Sequence, residues 1–139
     1  MTATTAAMLR HQRGLREEVR WLSTHLGSRR LFTPRLLVGT PAATSLALPH
    51  DTYDDPGLRI DLIGRALDAL DDADPCVWRM RPGPLEAGDS DLLWCSAAAL
   101  AMAVRGWSAE FYVVNRFGWA ELHSGQQRTW TRPRRGRAA

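Results

Sequence analysis

The sequence contains no lysine: all eighteen of its basic residues are Arg, and Asn occurs once, at Asn115. A Walker-type phosphate loop needs Gly-Lys-Ser/Thr, so that nucleotide-binding device is excluded. Only two cysteines occur, Cys76 and Cys95. They are too few for a disulfide scaffold, no Cys/His spacing resembles a zinc site, and each reads as a small core residue. The longest apolar run, within Leu92 to Val104, is shorter than the ~20 residues of a membrane span. Met1 to Arg20 carries charges where a signal peptide would have its apolar stretch. No Gly-x-Gly-x-x-Gly follows a strand-like segment, and no Gly-x-Ser-x-Gly elbow is present. These absences lead to the expectation of a soluble cytoplasmic protein, with no membrane partner, no cofactor and no metal set. They lower the weight of an enzymatic role without removing it.

What is present begins with 139 residues, 45% hydrophobic and 24% charged, with a formal charge of +3. That is enough chain for one domain with a buried core. Arg without Lys, together with abundant Ala, matches the bias of a GC-rich genome, so Arg richness alone is weak ground for a nucleic-acid partner. The distribution of charge says more. Residues 1–48 sum to +5, residues 49–75 to −6, residues 76–110 to −1 and residues 111–139 to +5. Two basic ends flank an acidic middle.

Leu15, Val19, Leu22 and Leu26 recur at helical spacing and predict an amphipathic helix from about Thr5 to Leu26, with Arg13, Arg16, Glu17 and Arg20 off the stripe. The stripe either packs on the domain or docks on a partner, which would be its own copy or another chain. Arg35-Leu-Leu-Val-Gly39 reads as a buried strand, followed by a loop of small residues from Ala42 to Asp54. Asp55-Pro56 then gives a cap and a first-turn proline for a helix to about Leu70. Cys76 to Met80 makes a second strand. Asp89 or Ser90 is expected to cap a third helix ending before Gly106, so apolar that it should be covered on more than one side. Glu110 to Val114 is a third strand, and Trp119–Leu122 with Arg128–Thr131 forms a hairpin around Ser124-Gly125.

Strands alternating with helices predict an α/β fold: a small three-layer domain with a short, mainly parallel sheet and an antiparallel C-terminal edge. The expected divisions are a basic amphipathic helix over 1–27, a single α/β domain over 28–132 and a basic flexible tail over 133–139.

The C-terminal third carries the most distinctive chemistry. Arg128, Trp130 and Arg132 alternate and so share one face of a strand, with Arg116 upstream and Arg134 and Arg135 beyond. Guanidinium groups pair with phosphate and indoles stack on unpaired bases, so these six residues are candidate nucleic-acid or anion contacts. The same ladder is also a common structural device, with Arg stacked on Trp over an apolar edge. The patterns Arg-x-Gly-Trp at 116–119 and Ser-Gly-x-x-Arg-Thr-Trp-x-Arg at 124–132, with Trp78-Arg79 upstream, resemble those of small proteins of high-GC actinobacteria. The resemblance spans about residues 57–132. It implies an α/β fold and a bacterial cytosol, and brings no activity.

Other polar groupings have cheaper explanations. Thr40, Thr44 and Ser45 sit in an ordinary loop, His50, Asp51, Asp54 and Asp55 in a solvated capping turn, and Asp89 and Asp91 at a helix start. Three readings follow. The leading one is a non-catalytic binding protein whose Arg-rich ends engage nucleic acid or an acidic protein surface. The second is an assembly or adaptor subunit, homo- or hetero-oligomeric, docking through Leu15, Val19, Leu22 and Leu26. The third is a small-molecule enzyme at the strand ends near Gly39, Arg79 or Arg81, and Asn115, completed by Asp89 or Asp91.

Overall fold

A computed structural model describes residues 5–26, 29–48 and 55–130. Among these residues, three helices and a six-stranded mixed sheet make a mixed α/β fold. Helix α1 (Thr5–Leu26) leads into β1 (Arg35–Gly39) and β2 (Ser45–Leu48). Helix α2 (Pro56–Ala69) and strand β3 (Cys76–Met80) follow, then α3 (Asp89–Val104), β4 (Phe111–Val114), β5 (Gly118–Glu121) and β6 (Gln127–Thr129).

The strand order is β2-β1-β3-β4-β5-β6. Only β3 and β4 pair in parallel; the other neighbours are antiparallel. The expected mainly parallel sheet is therefore overturned, and β2 is the reason. Ser45-Leu-Ala-Leu48 has no β-branched residue and reads as loop, yet it pairs with β1 along its length, Leu36 opposite Leu48 and Gly39 opposite Ser45. The α2 crossover thus departs from β2, not β1. It delivers β3 in the same direction as β2 and against β1, which lies between them.

Local capping explains the helix starts. The Asp55 carboxylate accepts the Gly57 amide at 2.9 Å, and Pro56 fills the first helical position where an amide would be wasted. At α3 the cap is Gly88, not Asp89 or Ser90. Asp91 reaches back to accept the Gly88 amide at 2.9 Å, so the side chain that satisfies this end lies inside the first turn. Gly106 closes the helix at φ 81°, a conformation that favours glycine.

Strand alternation sends Leu36, Val38, Val77, Phe111 and Val113 into one core cluster with α2 and α3. Leu37, Cys76, Trp78, Met80, Tyr112, Val114 and Trp119 enter a second cluster with Leu15, Val19 and Leu22 of α1, and Leu26 packs against it. The stripe read as a possible partner-docking surface is thus occupied by the chain's own sheet. An apolar face buried on β1, β3, β4 and β5 needs no second molecule. The two cysteines fall in different clusters and remain thiols. Among the described residues α3 buries one side; Leu92, Leu93, Leu100 and Val104 on its outer side are exposed. No helix of the described residues is long and apolar enough to cross a membrane.

Candidate functional site

Where α1 crosses the β5–β6 hairpin, a groove of about 500 Å³ opens, lined by Arg13, Arg16, Trp119, Gln126, Arg128 and Trp130 among others. Each wall follows from local sequence. On α1, Leu9, Gln12, Arg13 and Arg16 recur at three- and four-residue spacing, which places them on the flank of the helix beside its buried stripe. On the hairpin, the antiparallel register sets Trp119 opposite Arg128 and Gly118 opposite Thr129. Gly118 allows the two strands this approach, because a Cβ there would collide with the Arg128 carbonyl oxygen. Gln12 Nε2 donates to Gln126 Oε1 at 3.0 Å and ties helix to hairpin.

The Arg16 guanidinium carbon lies 5.4 Å from the Trp130 ring centroid, and that of Arg128 lies 5.8 Å from it. Both distances are within cation–π range. Arg13, Arg16 and Arg128 form no ion pair among the described residues, and no carboxylate lines the groove. Trp119 forms part of its floor. Its indole packs edge-on against Tyr112, 5.4 Å between centroids at 85°, and its buried Nε1 has no hydrogen-bond partner.

Of the residues expected from sequence to form a basic face, Arg128 and Trp130 stand in this groove. Arg116 does not. Its Nη1 donates to the Arg29 carbonyl at 2.8 Å and it stacks over Phe117 at 5.3 Å, bordering a separate cavity of about 770 Å³ with Arg30, Leu31 and Pro84. Arg132, Arg134 and Arg135 lie outside the described residues, as do His50, Asp51 and Asp54. Arg13 and Arg16 were visible in the sequence only as off-stripe helix charges. Their partnership with Trp130 depends on how α1 crosses the sheet.

The residues named for a strand-end site do not all come together. Gly39 pairs opposite Cys76, whereas Asn115 follows Val114, which pairs opposite Met80 at the other end of β3. Asn115 Oδ1 accepts the Phe117 and Gly118 amides and its Nδ2 donates to the Gly83 carbonyl, so it shapes a turn. Arg79 and Arg81 both bind the buried Asp91 carboxylate, at 2.8 and 2.7 Å. Burial works against the ionised Asp91, but the hydrogen bonds from Arg81, the Gly88 amide and Arg79 outweigh it and hold its pKa below the ordinary carboxylate value. Cys95 Sγ lies 3.4 Å from His123 Nε2, which invites comparison with a nucleophile and its base. Burial, with the Glu121 and Asp91 charges nearby, pushes this thiol up to about 11, the wrong direction for a reactive thiolate. Comparison with protein-family models, curated proteins and solved structures found no match, so the groove is interpreted from its own chemistry.

Proposed function

We propose that the protein is a non-catalytic binding protein that holds a single-stranded nucleic acid segment in the groove between α1 and the β5–β6 hairpin. The observation that carries this reading is three guanidinium-bearing residues, Arg13, Arg16 and Arg128, lining one groove, the latter two beside the Trp130 indole, with no carboxylate in the lining. Phosphates pair with such guanidiniums, and an unpaired base exchanges places with a guanidinium on the indole face. The Gln126 and Gln127 amides supply hydrogen-bond donors and acceptors for base edges. An acidic protein surface would use the same charges but leave the indole without a planar partner. In this reading the sheet is the middle of three layers, α1 presents the binding side, and the work is done in a bacterial cytosol.

Fluorescence anisotropy with a labelled oligonucleotide of about ten nucleotides tests it. Binding should weaken with salt at a log–log slope of about −2, the value for three phosphate contacts on a single strand. Replacing Arg16 and Arg128 together by Ala should cost at least tenfold, while Arg65→Ala on α2 changes nothing. No binding at low salt, or equal binding by the double variant, would overturn the proposal.

A further inference from the structure

Away from the groove, a second set of polar groups is gathered inside the molecule. His11 of α1, Cys76 at the start of β3 and Glu110 just before β4 are all buried, and they bring an imidazole nitrogen, a sulfur and a carboxylate oxygen within 4.8 Å of one another. His11 Nε2 lies 2.7 Å from the Asp74 carbonyl oxygen, which can only accept, so this nitrogen carries the N–H. Nδ1 is thereby turned toward Glu110 Oε2 at 2.8 Å, with a proton between them. The Tyr112 hydroxyl donates to the same Oε2 at 2.6 Å. Glu110 Oε1, on a residue only 4% exposed, is buried with no hydrogen-bond partner.

That unpartnered oxygen is the anomaly, because a buried carboxylate oxygen is normally met by a donor or a cation. The surroundings favour a cation: the buried His11 imidazole and Cys76 sulfur stand beside this carboxylate, their ligand atoms all within 4.8 Å of one another.

We propose that His11, Cys76 and Glu110 form a structural binding site for a divalent cation of the zinc class. His11 Nδ1, Cys76 Sγ and the Glu110 carboxylate supply an N/S/O donor set suited to zinc. The Asp74 carbonyl fixes the imidazole tautomer that points Nδ1 inward, the usual orienting contact of a metal-bound histidine. With metal–ligand bonds of about 2.0–2.3 Å, the His11–Glu110 contact has to open to about 3.3 Å. The charges balance. The incoming ion displaces two protons, one from the Cys76 thiol and one from between His11 and Glu110, and the cluster stays neutral. Because the cluster is enclosed, the ion enters as the chain folds, and it pins α1 to the sheet.

Cobalt(II) is the probe. The full chain is stripped with chelator in denaturant and refolded with one equivalent of Co²⁺. The expected result is one ion bound, a sulfur-to-cobalt charge-transfer band, two protons released per ion in weak buffer and a raised Tm. The band should persist in Cys95→Ser and vanish in Cys76→Ser. Refolding of the wild-type chain and of Cys95→Ser without cobalt uptake would overturn the proposal, as would a band that survives in Cys76→Ser. Should refolding fail, the zinc content of natively purified chain decides: about one ion per chain supports the site, and metal-free folded protein overturns it.

Discussion

Single side chains in this protein divide sharply by how fully they are enclosed. Asp91 is 1% exposed and holds two guanidiniums that are themselves largely buried. Replacing it with Asn leaves Arg79 and Arg81 as uncompensated buried charges, and the expected loss is about 3–5 kcal/mol by urea denaturation. The pH dependence follows from the same geometry. Asp91 titrates lower in the folded chain than the ordinary value near 3.9, so its contribution is fully present above about pH 4 and is lost as pH falls through the folded value. An acid titration of stability should therefore show a limb that is missing in Asp91→Asn. The Arg105–Asp68 pair forms two short bonds, of 2.7 and 2.8 Å, but its carboxylate is exposed to solvent, so Asp68→Asn should move stability little and less still in high salt.

At the scale of elements, α1 is a core helix with one flank lining the groove. Leu15 is fully buried, so Leu15→Ala should cost about 2–5 kcal/mol, read from the urea midpoint. A stripe held ready for a partner would have cost almost nothing. Gly14 marks a close approach of this helix to the β1–β2 turn, where a Cβ would strike the Pro41 carbonyl. Gly14→Ala should destabilise by about 1–3 kcal/mol, because both backbones have to move. Helix α3 is the counter-case. Its composition calls for cover on more than one side, but among the described residues α2, the sheet and a few loop side chains cover one side and leave Leu93 and Leu100 half exposed. Replacing these two with Gln should leave the urea midpoint within about 0.5 kcal/mol of the wild type. The β1–β2 hairpin shows why an element can be invisible. Ser45 to Leu48 carry no strand propensity of their own, and only pairing with β1 makes them a strand.

Over the whole molecule, the charge imbalance along the chain is partly spent internally and partly gathered. Arg10 approaches Asp74 at 4.0 Å, joining the basic N-terminal block to the acidic middle. Arg105 takes up Asp68 from that middle as well. Arg13, Arg16 and Arg128, from opposite ends of the sequence, stay clear of these pairs and meet at one groove. In the proposed binding reading, the placement of these three residues, more than the net charge, sets the expected salt dependence. The buried cluster follows the same logic, since its His11–Glu110 hydrogen bond spans 99 positions and has no spacing for a motif to register.

The sequence by itself determined the helices, five of the six strands within a residue or two, the burial of both cysteines and the face shared by Arg128 and Trp130. These depend on local periodicity, caps and turns, all encoded within a few residues of where they act. Only the tertiary structure decided the direction of the strands, the docking of α1 on its own sheet, and the meeting of Arg16 with Trp130 and of His11 with Glu110. Those outcomes depend on which surfaces cover which when the chain closes on itself. One unrecognised edge strand was enough to reverse the pairing of β1 with β3.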